Sequence, residues 1–241
     1  MSKEKLIIAL DVPAAAEAGE IVSELGDIVG AFKIGLQLFT AAGPAFVEEI
    51  VEMGHRVFLD LKFHDIPNTV ASAGVEAARL GVWMFNVHAS GGGEMMGRTV
   101  EEVDTVCNRE NLRRPLVIGV TVLTSSDRTT LSETGIEAEP GEQVLNLTKL
   151  AAKYGLDGVV ASPLECKSIR AAGLGKEFLI VTPGIRPINA TNDDQKRITT
   201  AAAALNVGAD YLVIGRPVVR AEDRRAAVHE ILQSFGNPAL C

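Results

Sequence analysis

Short runs of apolar and β-branched residues alternate along the chain with longer stretches whose apolar positions recur every three or four residues. Leu6–Leu10, Ala31–Ile34, Val57–Leu61, Trp83–Val87, Leu116–Val122, Gly158–Val160, Phe178–Val181 and Tyr211–Ile214 read as eight buried strands. Between them lie amphipathic, alanine-rich stretches that read as helices: Ala14–Leu25, Ala45–Met53, Val70–Leu80, Glu94–Cys107, Glu142–Tyr154, Pro163–Ala172, Lys196–Asn206 and Glu222–Ser234. Strands that alternate with helices pair in parallel through helical crossovers. Eight such units in 241 residues fit a closed (β/α)8 TIM barrel better than an open doubly wound sheet. No internal repeat, low-complexity tract or linker stands out, so the whole chain, residues 1–241, is expected to be one α/β domain.

That fold gathers the polar residues at strand ends onto one rim, because barrel enzymes keep their sites at the carboxyl-terminal face. Asp11 follows the first strand, Lys33 lies near the end of the second, and Asp60 and Lys62 end the third. His88 follows the fourth, Thr124 the fifth, Pro183-Gly184-Ile185-Arg186 the seventh, and Gly215-Arg216 the eighth. The centre is the spacing Asp-x-Lys-x-x-Asp formed by Asp60, Lys62 and Asp65. A strand's period of two points Asp60 and Lys62 to the same side. Asp65 could serve only as a helix N-cap before Ile66-Pro67, and Asp60 with Lys62 could be a structural ion pair. Inward charges at a strand end are costly to keep, however, which favours a chemical role.

Two rim connections are long: Thr124 to Gly141 and Pro183 to Gln195, read as two sides of a closing lid. Gly215-Arg216-Pro217 suits a phosphate, since glycine admits the anion to backbone amides and Arg216 can bind it bidentately. His64 and His88 read as hydrogen-bonding scaffold, and His55 and His229 as surface residues. Gly91-Gly-Gly93 lacks the spacing of a nucleotide loop and reads as a tight turn.

Composition narrows the partners. With 23 Lys and Arg against 31 Asp and Glu, the net charge of -8 argues against a general nucleic-acid or anionic-membrane surface. Cys107, Cys166 and Cys241 are few, odd in number and without metal-ligand spacing, so reduced thiols are expected rather than disulfides or zinc ligands. The first residues lack the pattern of a signal peptide and no apolar run reaches a membrane span, so the expected compartment is the cytoplasm.

With these residues in view, the chain resembles the orotidine 5'-phosphate decarboxylase family over essentially its whole length. The resemblance rests on Ala9-Leu-Asp11, Phe32-Lys-Ile-Gly35, Asp60-Leu-Lys-Phe-His-Asp-Ile-Pro-Asn-Thr69, Val120-Thr-Val-Leu-Thr-Ser125, Thr182-Pro-Gly-Ile-Arg186, Asp194-Gln-Lys196 and Ile214-Gly-Arg-Pro217, with no departure from the family pattern at these positions. It implies a barrel, a homodimer, no cofactor and no metal. It also implies roles: Lys62 as the acid that protonates C6 while carbon dioxide leaves, and Lys33, Asp60 and Asp65 as the rest of an alternating charged array. Asp65, Ile66 and Thr69 would come from the neighbouring subunit. Asp11 and Lys33 would hold the ribose hydroxyls, Thr124 the pyrimidine edge, Gln195 the base and phosphate, and Arg186, Gly215 and Arg216 the phosphate. The alternatives are a magnesium-dependent sugar-phosphate decarboxylase or synthase of the same barrel group, and a non-catalytic nucleotide-binding barrel. The first would place a metal-binding Glu where Lys33 stands, and the second would have lost Lys62 or Asp60.

Overall fold

Each strand is buried on both faces, which is why the strands read as continuous apolar runs rather than as alternating ones. The computed structural model describes residues 3–185 and 199–235. Its strands are β1 (Leu6–Ala9), β2 (Ala31–Gly35), β3 (Val57–Phe63), β4 (Met84–His88), β5 (Leu116–Val120), β6 (Gly158–Val160), β7 (Leu179–Thr182) and β8 (Tyr211–Ile214). Every neighbouring pair is parallel, and β8 returns to pair with β1, which closes the barrel in sequence order. The helices are α1 (Ala15–Leu25), α2 (Leu36–Glu52), α3 (Pro67–Arg79), α4 (Gly93–Glu110), α5 (Arg128–Glu133), α6 (Pro140–Lys153), α7 (Cys166–Ala171), α8 (Ala201–Asn206), α9 (Arg216–Val219) and α10 (Arg224–Ser234). The expected (β/α)8 barrel is the observed fold.

The period of two divides the core. Ile7, Ala9, Ala31, Phe58, Met84, Ile118, Val181 and Val213 pack in the barrel lumen, whereas Leu6, Ile8, Phe32, Ile34, Leu59, Phe85 and Leu212 pack outward against the helices. Burying a side chain such as Phe32, Phe58 or Phe85 stabilises the fold by about 1.5–3 kcal/mol each. At the amino-terminal end of the lumen Trp83 meets Tyr211 edge-on at 5.1 Å, and the Arg56 guanidinium lies 4.9 Å from the Trp83 ring. These large groups stop that end, so polar chemistry is confined to the opposite rim.

Several local expectations change. The second helix starts at Leu36 rather than Ala45, with a break at Gly43, whose φ of 73° and ψ of −176° interrupt the helix before Pro44. Gly and Pro there hid the first two turns from a periodicity reading. The Thr124–Gly141 connection is not an open loop: it contains α5, whose N-cap Asp127 accepts from the Thr130 amide, and α6 begins at Pro140. Pro163–Ala172 divides into a 3-10 turn at Pro163–Glu165 and the short α7. His55 is not a surface residue; it is half-buried and sits edge-on to Phe32 at 5.5 Å. Gly91–Gly93 is a tight turn as expected, a 3-10 turn over Ala89–Gly91 followed by Gly92 at φ 90°. The Pro183–Gln195 connection from residue 186 onward, the proposed helix start at Lys196, and Cys241 lie outside the described residues.

Candidate active site

The end of β3 is not a regular strand. Leu59 pairs with Phe85 of β4, and Phe63 is the next residue in register, opposite Val87, so β3 fits two extra residues into this interval. The insertion is a bulge of two residues rather than the usual one. Because two residues are inserted, the in-out alternation is preserved, and Asp60 and Lys62 both still face the lumen. Lys62 adopts the left-handed conformation at φ 52°, rare for a side-chain-bearing residue. Its Nζ donates to Asp60 Oδ1 at 2.7 Å. The shared face expected from strand periodicity is therefore realised, but through a bulge.

From that pair the charges continue across the rim. Asp60 Oδ2 lies 3.2 Å from Lys33 Nζ, and Lys33 Nζ lies 3.2 Å from Asp11 Oδ1. The order Asp11, Lys33, Asp60, Lys62 alternates in sign and sums to zero. Lys33 and Asp60 are largely buried, whereas Asp11 is about half exposed. Burial opposes the Lys33 ammonium, but the Asp60 and Asp11 carboxylates outweigh it and hold its pKa above the ordinary lysine value. Burial likewise opposes the Asp60 carboxylate, and the two lysines with their hydrogen bonds hold its pKa below the ordinary aspartate value. Both groups are thus charged in neutral solution.

One participant was missed in the sequence. Asn86, on β4 and 1% exposed, donates from Nδ2 to Asp60 Oδ1 at 2.7 Å and accepts the Lys62 backbone N–H at Oδ1 at 2.8 Å. The signal was available, since a lone amide inside the apolar run Trp83–Val87 must be satisfied by something. Two positions further along β4, the His88 ring centroid lies 5.4 Å from that of His64. Burial, then the His64 and Lys62 charges, lower the His88 pKa, which favours its neutral imidazole.

A cavity of about 340 Å³ opens above the array. Asp11, Lys33, Asp60 and Lys62 line one side; Val120, Val122, Val160 and Val213 form an apolar floor and wall, with Thr124 at the edge. Gly215 and Arg216, which follow β8 beside β1, line the cavity as well, with Pro183 and Gly184. A Cβ built on Gly215 would lie 3.0 Å from Asp11 Oδ2 and 3.4 Å from Ala9 Cβ, so glycine keeps this corner open. The rim thus gathers a charged array, apolar valine walls and an arginine in one hollow, the pattern of a site for a polar small molecule with an apolar part.

Asp65, Ile66 and Thr69 stand apart from the array on the exposed surface where α3 begins. Asp65 is not the N-cap of α3: Ile66 holds that position, and Asp65 Oδ1 accepts the Ile66 amide at 2.6 Å. Arg186 and Gln195 lie outside the described residues. Among the described residues no group of three or more His, Cys, Asp or Glu side chains is arranged to hold a metal ion, and no helix is long and apolar enough to cross a membrane.

Known proteins resemble the chain over nearly its whole length. The chain is 54% identical over 234 residues to the orotidine 5'-phosphate decarboxylase of Geobacter sulfurreducens, covering 97% of each chain. It is 52% identical over 231 residues to that of Moorella thermoacetica, covering 95% of this chain and 91% of the relative. The crystal structure of orotidine 5'-phosphate decarboxylase from Lactobacillus acidophilus superimposes with a TM-score of 0.83 at 36% identity, over 96% of this chain and 99% of that one. The family profile described as "Orotidine 5'-phosphate decarboxylase / HUMPS family" matches residues 4–231, and the chain belongs to that family.

Proposed function

We propose that the chain converts orotidine 5'-phosphate to UMP and carbon dioxide, the decarboxylation step of pyrimidine biosynthesis, as a carboxy-lyase. The observation that carries this reading is the alternating array Asp11, Lys33, Asp60, Lys62, linked at 2.7–3.2 Å along the wall of a cavity that Arg216 also lines. A nucleotide with its pyrimidine over Lys62 and its phosphate at Gly215 and Arg216 spans the hollow.

In this reading the C6–carboxylate bond breaks, its electron pair stays on C6, and carbon dioxide leaves. Lys62 Nζ gives a proton to C6 and is reprotonated from solvent after product release. The ammonium also stabilises the developing carbanion before the proton moves, a gain that exists only in the transition state. Asp60 fixes Lys62 from one side and stands near the departing carboxylate. Lys33 and Asp11 bind the ribose hydroxyls, Thr124 the pyrimidine edge, Gln195 the base and phosphate, and Arg186, Gly215 and Arg216 the phosphate. Binding the remote phosphate then contributes to aligning the ring. Lys33 Nζ, within 3.2 Å of both carboxylates, occupies the place a bridging dication would need, which favours chemistry without a metal or cofactor.

The same reading makes the enzyme a cytoplasmic homodimer, one domain per chain, in which Asp65, Ile66 and Thr69 complete the neighbouring subunit's array. Two observations support it. Ile66 is 67% exposed beside Asp65, and Leu36, which lines a second hollow, is 58% exposed, so each side of the expected contact offers an apolar side chain. That hollow, of about 200 Å³, reaches Lys33, Asp60 and Lys62 from the side of Leu36 and Gln37, which leaves the array open to a neighbouring side chain there. The test of function is direct: purified protein is mixed with orotidine 5'-phosphate, and the near-ultraviolet absorbance change that accompanies loss of the ring carboxylate is followed. An unchanged spectrum, with no UMP formed, would sink the assignment.

A further inference from the structure

Asn86 sits where an apolar residue would serve stability better. Its neighbour on the same face, Met84, and its pairing partner in β5, Ile118, are both buried in hydrocarbon. A buried primary amide is tolerated only when its donor and acceptor are both used. Here both are used on a single object, the Asp60–Lys62 pair. The amide orientation is fixed by its partners, because a backbone N–H needs an acceptor and a carboxylate needs a donor.

Among the described residues the other non-glycine residue in the left-handed region, Asn111, caps the end of α4, where that conformation is common. Lys62 has no such setting. It lies inside a strand, its backbone turned against the ordinary preference of a side-chain-bearing residue, and the hydrogen bond from its amide to Asn86 opposes relaxation to the extended region. The same Asn86 side chain, with Lys62 Nζ, occupies Asp60 Oδ1, while Lys33 faces Oδ2. The carboxylate plane is thereby fixed from three directions, and the lysine is anchored at both its backbone and its tip.

We infer that Asn86 is the positioning residue of the reaction, holding the Lys62 backbone in the bulge and the Asp60 carboxylate in its plane so that Lys62 Nζ is aimed at the substrate carbon. The inference rests on the decarboxylase reading for its kinetic consequence, not for its structural one. Shortening this side chain frees the bulge, and a displacement of about 1 Å at a reacting group costs on the order of 10²-fold in rate. Asn86 bonds to Asp60 and Lys62 and to none of the described residues assigned to phosphate or ribose, so the Michaelis constant should move little.

Three measurements test this on the full-length protein. Asn86→Ala should lower kcat by about 10²-fold while changing KM for orotidine 5'-phosphate by less than about threefold. Hydrogen exchange at the Lys62 amide should accelerate in Asn86→Ala, with the amides of β1 and β8 unchanged. Asn86→Asp keeps an acceptor for Lys62 but sets a carboxylate against Asp60; the Lys62 amide should stay protected while kcat still falls. Asn86→Ala with kcat within about twofold of wild type overturns the inference, and so does a rate loss accompanied by faster exchange throughout the barrel, which marks a general packing role. If Asn86→Ala does not fold, Asn86→Asp decides, and an undiminished kcat there refutes the inference. Wild-type protein inactive on orotidine 5'-phosphate would remove the decarboxylase reading alone, because the exchange comparison needs no substrate and still tests the hold on Lys62.

Discussion

Replacing Asp60 by asparagine asks what holds the charged array together. Asp60 faces three donors, Lys62 Nζ and Asn86 Nδ2 at 2.7 Å and Lys33 Nζ at 3.2 Å, and its side chain is only 13% exposed. With an effective dielectric near 20, the attraction to Lys33 at 3.2 Å is about 5 kcal/mol and to Lys62 at 2.7 Å about 6 kcal/mol before desolvation is counted. Desolvation and the repulsion between the two lysines consume much of this, and breaking a buried pair of this kind costs a net ~3–5 kcal/mol. In Asp60→Asn one acceptor oxygen must serve three donors, and buried Lys33 keeps only the half-exposed Asp11. Urea unfolding should therefore show a loss of about 3–5 kcal/mol at unchanged m-value, and the melting temperature should fall by on the order of 10 °C. The sign of the pH dependence follows from the two shifts. Asp60 has a depressed folded pKa, so its contribution is present above the ordinary aspartate value of 3.8 and is lost as pH falls through the lower folded value. Lys33 has a raised folded pKa, so its contribution is present below 10.5 and is lost as pH rises beyond the folded value above it. The gap between wild type and variant should be full across neutral pH and close at both extremes. A variant at or above wild-type stability at pH 7 would refute the reasoning, and would mean that the four charges are kept against their own desolvation cost.

Lys62→Ala should lower turnover by more than about 10³-fold, since both the proton and the cation facing the carbanion are lost, while UMP still binds; retention of a tenth of wild-type kcat contradicts the assigned role. Arg216→Ala should weaken the 5'-phosphate substrate by about 10–100-fold, as expected for a charged hydrogen bond, and leave the unphosphorylated nucleoside nearly unaffected. Equal losses on both ligands would move Arg216 out of the phosphate site. Activity should persist in EDTA, and a loss restored by magnesium would return the sugar-phosphate alternative to consideration. Mixing inactive Lys62→Ala with inactive Asp65→Ala should restore activity to about one quarter of all sites, because half the dimers are mixed and each has one intact site; no recovery despite proven subunit exchange would confine the site to one chain.

The barrel was legible because strands buried on both faces leave unbroken apolar runs, and the helices between them carry a second, longer period. Where that contrast fails, the reading failed too. Gly43 and Pro44 are breakers in sequence, yet the chain resumes its helix beyond them, so α2 lost its first turns. The segment after Thr124 is rich in small polar residues and still encloses α5, because Asp127 caps it. The rim residues Asp11, Lys33, Asp60, Lys62, Thr124, Gly215 and Arg216 were found together because one topological fact, parallel strands in a closed barrel, sends every strand end to the same place. Asn86 escaped notice since it interrupts an apolar run without a charge.

What periodicity could not reveal is how Lys62 reaches Asp60. An ideal strand puts residues 60 and 62 on one side, a repeat of about 6.6 Å apart, which a lysine side chain can span, but periodicity does not disclose the backbone on which it does so. One extra residue in β3 would have turned Lys62 outward into the helical layer. Two extra residues, Phe63 meeting Val87 instead of running ahead of it, leave Lys62 on the lumen side with its Nζ on Asp60 Oδ1. Such a bulge has no hydrophobic signature, because it leaves the in-out pattern as it was. Its only trace in the sequence lies on another strand, in the polar residue that must satisfy the displaced amide, and that residue is Asn86.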